Sequence, residues 1–287
     1  MLQPIHLEKM KTIFDKVSAE CSKIVTKSYS TSFSLGIQFL GEKLRNPIYA
    51  IYGFVRLADE IVDSFHDYDK VALLTKFKRD CYEAINDRIS LNPVLNAFQE
   101  VVNTYKIDVE LIDLFLQSME MDLQKEVYTP EKYEQYILGS AQVVGLMCLH
   151  VFTEGNKITY ERLKESAMKL GSAFQKVNFL RDVNADFYVL SRTYFPNVDL
   201  SEFTTSEKNL IEQEISAEFD AALAGIRQLP ASSRKGVYLA YIYYRRLFDK
   251  IRKKTATQIM AERVRISNVQ KFTLMFGSVL RSRYNRI

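Results

Sequence analysis

Apolar residues recur at steps of three and four along almost the whole chain, and sustained period-two alternation bounded by hairpin turns is missing. A 3.6-residue period brings that spacing onto one face, so the expected fold is all-α. Helix starts are legible. Asn92-Pro93 and Thr129-Pro130 each set a capping side chain before a proline, which lacks an amide hydrogen that a first turn cannot use, and Asp108 caps another. Gly155-Asn156, Phe195-Pro196-Asn197 and Leu229-Pro230 interrupt long helical runs. These signals predict about ten helices, near 7–27, 47–66, 69–89, 93–105, 109–125, 130–153, 158–190, 206–228, 231–254 and 267–284. The stretch from Tyr29 to Asn46 is rich in Ser, Thr and Gly and has no clear helical rhythm. It reads either as a functional loop or as an ordinary connection.

Nothing repeats at a solenoid period, and ten glycines and six prolines leave little material for linkers, so residues 1–287 are expected to form a single domain. Hydrophobic residues are 47% of the chain and aromatics 12%, enough for a bundle around a central apolar cavity. The 39 basic residues against 35 acidic ones leave +4, a mild excess that suits an anionic substrate or a membrane surface and does not require nucleic acid. Cys21, Cys81 and Cys148 are far apart and odd in number, which fits reduced thiols in a cytoplasmic protein better than a disulfide framework. Glu8, Lys9 and Lys11 precede any apolar run, so neither a secretory signal nor a targeting peptide is expected. The uncharged stretch from Gln135 to Thr153 has membrane-spanning length, but Ser140, Gln142, two glycines and His150 within it favour a buried core helix.

Asp59 and Asp63 are four apart, as are Asp182 and Asp186, so in a helix each pair shares a face. Glu83/Asp87, Glu161/Glu165 and Glu214/Glu218 have the same spacing and are assigned to solvated faces. The aspartate pairs differ in their apolar flanks, Tyr49 to Ala58 and Leu170 to Leu180. Two carboxylates in such surroundings need a compensating cation. Oxygen ligands point to Mg2+, which shares its shell with waters and substrate phosphate. Two structural, salt-bridged aspartate pairs are the other reading of the same spacing. His6, His66 and His150 are scattered and offer no zinc site. Gln175, Asn178, Asp182 and Asp186 follow one another by three, four and four, giving one helix face of amides and carboxylates. Arg56 and Arg181 set permanent cations beside the aspartates, either to bind phosphate oxygens or to neutralise the acids.

The segment Tyr49-Ala-Ile-Tyr-Gly-Phe-Val-Arg-Leu-Ala-Asp-Glu-Ile-Val-Asp63 resembles the first aspartate motif of the squalene/phytoene synthase family. Gln175-Lys-Val-Asn-Phe-Leu-Arg-Asp-Val-Asn-Ala-Asp186, followed by Arg192-Thr-Tyr-Phe-Pro196, resembles the second. Ser30-Thr-Ser-Phe33, Met121-Asp-Leu123, Tyr136 to Gly145, Tyr244, Arg263 and Lys271 fall in the family's order, so the likeness covers nearly the whole chain and reaches bacterial carotenoid-pathway members.

The resemblance implies that Asp59, Asp63, Asp182, Asp186 and Asn178 hold Mg2+, as about two or three ions, with Mn2+ as an alternative. It implies that Arg56, Arg181, Tyr244, Arg263 and Lys271 contact diphosphate and that Ser30 and Ser32 sit in a loop over the site. Phe33, Tyr136, Val144, Gly145 and Gln175 would line the pocket near the reacting carbons. Tyr29 and Thr31 stand where many members carry His and Lys, and Val127 or its neighbours stand where an arginine often follows Met-Asp-Leu; both departures put diphosphate contacts in doubt. The implied reaction is head-to-head joining of two prenyl diphosphates through a cyclopropyl diphosphate. Two geranylgeranyl diphosphates giving phytoene is the preferred expectation, without NADPH, and two farnesyl diphosphates giving squalene or dehydrosqualene is the alternative. A head-to-tail prenyltransferase would show an Asp-Asp-x-x-Asp run, which is absent, and a non-catalytic helical interaction protein would have no use for the aspartate pairs. The basic residues Arg245, Arg246, Lys250, Arg252, Lys253, Lys254, Arg281, Arg283 and Arg286 read as a solvated face, with peripheral contact to anionic lipid as the alternative.

Overall fold

Capping side chains set most of the helix starts. The computed structural model describes residues 4–124, 128–188, 194–196, 198 and 200–265. Helix α1 spans Pro4–Tyr29 and is followed at once by α2, Thr31–Gln38, whose N-cap Ser30 accepts from the Phe33 amide at 3.2 Å. The chain continues through α3 (Glu42–Asp63), α4 (Lys70–Asp87), α5 (Pro93–Tyr105) and α6 (Val109–Asp122). Next come α7 (Pro130–Ile137), a π-turn at Leu138–Gln142, and α8 (Val143–Phe152). The long α9 (Lys157–Tyr188), α10 (Thr205–Ile226), α11 (Ala231–Arg252) and the short α12 (Ala256–Ala261) complete the described helices, with a 3-10 turn at Leu200–Glu202. No strand occurs among the described residues.

The expected all-α class holds, and several expectations change in detail; Asp108 stands at the start of α6, but its side chain makes no capping bond. The stretch from Tyr29 to Asn46 is helical for most of its length, because the Ser30 cap satisfies an orphan amide that composition alone does not reveal. The helix expected over 130–153 is interrupted by the π-turn, and α12 was not anticipated. The helix expected near 267–284 lies outside the described residues.

Stacked phenylalanines tie α3, α4, α5 and α6 together. Phe54 stacks on Phe98 at 3.9 Å between ring centroids and lies 5.6 Å from Phe77 and 5.3 Å from Phe115. Phe54, Phe98 and Phe115 are fully buried, and such rings carry much of a core's burial energy. Helix α9 is fixed to α10 by a buried charge cluster. Lys176 donates to Glu214 at 2.5 Å and to Glu218 at 2.9 Å, and Ser172 adds a bond to Glu218 at 2.8 Å. Glu83, Asp87, Glu161 and Glu165 are exposed as expected. Glu214 is exposed as expected, but Glu218 is buried, and a lysine on another helix compensates it.

The stretch Pro130–Phe152 is long and apolar enough to cross a bilayer by length and composition, with a mean hydropathy of 1.4 in its most apolar window. Here half of that window is buried, and the segment packs against α3, α6 and α9.

Candidate active site

A cavity of about 530 Å3 opens among α2, α3, α8, α9, α10 and α11. Along α3 its lining runs Ile48, Ile51, Val55, then Arg56 and Asp59; along α9 it runs Leu163, Ala167, Leu170, Phe174, then Gln175, Asn178 and Arg181. In both helices the apolar turns come first and the charged ones last. The two charged turns are linked by an aromatic bridge: Phe33 lies 5.7 Å from Tyr52 and 5.9 Å from Tyr244, and Tyr244 stacks on Phe174 at 3.9 Å. Tyr244 also donates to Asn178 at 3.3 Å. The cavity therefore has an apolar end and a polar end, and its α9 wall from Leu163 to Arg181 rises about 27 Å at about 1.5 Å per residue.

At the polar end Asp59 is the most perturbed acid. Burial pushes its carboxyl up to about 7, the Asp63 carboxylate adds to the rise, Arg56 opposes it and Asp122 adds again. The 33% of its side chain left exposed belongs to a residue lining the cavity, so the remaining opening does not restore bulk solvation. Arg56 Nη1 is 3.8 Å from Asp59, too long to cancel the repulsion, while the same guanidinium bonds Glu60 and lies 4.3 Å over the Tyr29 ring. Tyr136, buried, donates to Asp122 at 2.8 Å, and burial together with Asp122 holds its phenol well above the ordinary range. Tyr52 is pushed up to about 12, chiefly by burial. Both phenols therefore stay protonated donors at neutral pH.

Asp182 is held differently. Arg181 Nε reaches its Oδ1 at 3.0 Å, and Arg263 Nε reaches the same oxygen at 2.6 Å. Arg181 of the second motif and Arg263, just after α12, both line the cavity, so two guanidinium groups stand at the polar end with a carboxylate behind them.

Among the described residues no three His, Cys, Asp or Glu side chains converge into a ready-made metal cage. The donor chemistry still suits a hard divalent ion. Asp59, raised first by burial and then by the charges of Asp63 and Asp122, is a carboxyl group lacking full compensation, and Mg2+ commonly takes only one or two protein carboxylates while keeping water and phosphate oxygens.

A family model for squalene/phytoene synthase matches the chain from residue 26 to residue 270. The chain belongs to the squalene/phytoene synthase family. Members are prenyltransferase-type enzymes that act on prenyl diphosphates. Phytoene synthase 1 of Solanum lycopersicum is 26% identical over 267 residues, covering 86% of this chain and 63% of the tomato protein. The 4,4'-diapophytoene synthase of Staphylococcus haemolyticus is 27% identical over 273 residues, covering 88% of this chain and 92% of that one. The chain spans less than two thirds of the length of the tomato and Arabidopsis thaliana phytoene synthase 1 relatives, 63% and 62%. A crystal structure of a dehydrosqualene synthase superposes with a TM-score of 0.79 at 21% identity, covering 94% of this chain and 98% of that one, and shows the shared fold. The squalene synthase HpnC of Alicyclobacillus acidocaldarius follows at 0.73 and 22%, covering 84% and 95%.

In this family member the cavity gathers most of the residues expected from the sequence. Asp59, Arg56, Ser30 and Phe33 line it from one side, and Gln175, Asn178, Arg181, Tyr244 and Arg263 from the other. Tyr136, Val144 and Gly145 line it from α7 and α8. Asp63 acts on Asp59 through its charge, and Asp182 bonds two lining arginines; neither is among the lining residues. Ser32 lies within the first turn of α2 and is not part of the lining. The Asp186 side chain and Lys271 lie outside the described residues. The segment Met121-Asp-Leu123 alone assigns Asp122 no role; its bond to Tyr136 and its effect on Asp59 bring it to the site. Tyr29, Tyr52, which lies within the first aspartate motif, and Phe174, next to Gln175, also join the lining, although no role is expected for any of them from the sequence.

Proposed function

We propose that this protein joins two geranylgeranyl diphosphates head to head to give phytoene, using Mg2+ held at the polar end of the cavity. The observation that carries the reading is the division of one cavity into an apolar wall and a polar end bearing Asp59, Arg56, Arg181 and Arg263. Names of the curated relatives, phytoene synthases and a diapophytoene synthase, support the same chemistry. In the proposed reaction the carbon–oxygen bond of the first substrate breaks and diphosphate leaves with the electron pair. The double bond of the second substrate attacks the allylic cation, and loss of a proton closes a cyclopropyl diphosphate. Its diphosphate leaves in turn, the skeleton rearranges, and a second proton is lost. Two diphosphates and two protons balance the equation, so phytoene formation needs no NADPH.

Asp59, Asp63, Asp182 and Asn178 would hold the metal, which when bound supplies positive charge to the departing diphosphate. Arg56, Arg181 and Arg263 would clamp phosphate oxygens. Phe33, Tyr52, Phe174 and Tyr244 present ring faces that favour a passing cation, and the aliphatic wall keeps water from quenching it. The proposal places the protein in the cytoplasm, in keeping with its free cysteines.

Condensation of two farnesyl diphosphates is a second reading, favoured by the 92% coverage of the diapophytoene synthase. Purified protein incubated with C15 or C20 diphosphate, with and without NADPH, separates the two by mass spectrometry of the hydrocarbon. A C40 product indifferent to NADPH is expected. A C30 product alone would move the assignment to the second reading, and no hydrocarbon from either substrate would overturn both.

A further inference from the structure

Met10, Ile13, Val17 and Ile24 on α1 are 57%, 58%, 52% and 61% exposed. At about 100° per residue, their spacing gathers them within about 60° of the helix circumference. The opposite face is the one that packs. Ser18, Ser22 and Thr26 are fully buried there, against α3 and α5. Helix α1 thus docks to the body through small polar side chains and turns its larger aliphatic ones outward, the reverse of a solvated helix. Four large aliphatics in one stripe are more than the scattered single exposures of an ordinary surface.

The border of the stripe says what covers it. Lys16, Lys23 and Lys27 fall in a row within about 40° along one edge of the stripe. Lys16 and Lys27 are exposed, and Lys23 pairs with Glu20 at 2.7 Å, leaving the row with an excess of positive charge. An apolar face with a lysine margin fits the boundary between headgroups and acyl chains, where lysine stems lie along apolar material and the ammonium groups reach anionic phosphates. Helix α1 ends at Tyr29, which lines the cavity and is 51% exposed, about 7.5 Å of helix rise beyond Ile24. On α11, by contrast, Arg245 pairs with Asp220 at 3.8 Å, Lys250 donates to the Arg265 carbonyl at 3.1 Å, and Lys254 pairs with Glu262.

We propose that the outward face of α1 docks the protein on an anionic lipid bilayer, whichever prenyl diphosphate the cavity takes. The test is flotation of the full chain with vesicles of phosphatidylcholine, with and without phosphatidylglycerol. Wild type floats with the anionic vesicles and its binding weakens as salt rises. Ile13→Asp with Val17→Asp lowers the bound fraction about tenfold or more, Met10→Ser with Ile24→Ser lowers it without adding charge, and Lys16→Glu with Lys27→Glu lowers it on anionic vesicles. Leu210→Asp, at a 65% exposed position on α10, floats as wild type does. Circular dichroism confirms that each variant is folded. Wild type remaining in the soluble fraction with both vesicles overturns the proposal, as does unchanged flotation of both stripe variants. Light scattering that finds a lipid-free dimer, reduced to monomer by Ile13→Asp with Val17→Asp, would assign the stripe to a second copy and overturn it too.

Discussion

Asp59 shows how one side chain links burial to chemistry. Its carboxyl is pushed up to about 7 because burial and two neighbouring acids oppose its charge, and Arg56 at 3.8 Å compensates only in part. A group so placed gains most from a bound cation. Asp59→Ala is expected to leave the fold intact, since the residue borders a cavity instead of filling the core, and to cut turnover of prenyl diphosphate about a thousandfold or more. Retained turnover in a steady-state assay would remove Asp59 from the mechanism. Asp122 acts one step back, through Tyr136 and through its field on Asp59. Asp122→Asn keeps an acceptor for Tyr136 but loses the charge, so a drop of about 10–100-fold in activity is expected, with the melting temperature close to that of wild type.

At the scale of elements, the π-turn and α9 meet with almost no clearance. A Cβ added at Gly171 would stand 2.5 Å from the Ala141 carbonyl oxygen and 3.0 Å from its carbon, both backbone atoms that cannot swing aside. Gly171→Ala is therefore expected to destabilise by about 1–3 kcal/mol, read as a lower denaturation midpoint with an unchanged slope. Helix α8 carries a different liability in His150, whose ring lies 4.1 Å from Tyr160 and whose pKa burial lowers, against the opposing field of Asp108. The unfolded chain then binds the proton first. Stability is expected to be flat above about pH 6.5 and to fall below it, by no more than about 1.4 kcal/mol per pH unit. His150→Gln should flatten that fall in urea titrations between neutral and mildly acidic pH; an unchanged slope would remove His150 from the acid response.

For the molecule as a whole, the cavity is both the site and a gap in the core, so filling it should stabilise the fold. A non-hydrolysable prenyl diphosphate analogue with Mg2+, at about a hundred times its Kd, should contribute about 2.7 kcal/mol. For a chain of this size that is a rise in melting temperature of about 5 °C or more, to be seen by calorimetry. Chelation of the metal should remove most of the rise, because the diphosphate would then face Asp59 without its counter-ion. An equal shift with and without chelator would mean that the metal has no part in binding.

What was legible in the sequence was local. The helix over Pro93–Tyr105 has the bounds its Asn-Pro start and periodicity predict, and the two aspartate motifs stand on α3 and α9 as their spacing requires. A 3.6-residue rhythm and a capping side chain act over a few residues, so they can be read without the fold. What only tertiary structure decided was distant. Glu218 has the spacing of a solvated acid, yet Lys176 on another helix meets it in the interior. Asp122 became part of the site through Tyr136 and Asp59, and the aliphatic side of α1 was turned outward because its small polar side was the one that could approach α3. Burial and the field of a far charge depend on which helices pack, and that is a property of the whole chain in three dimensions.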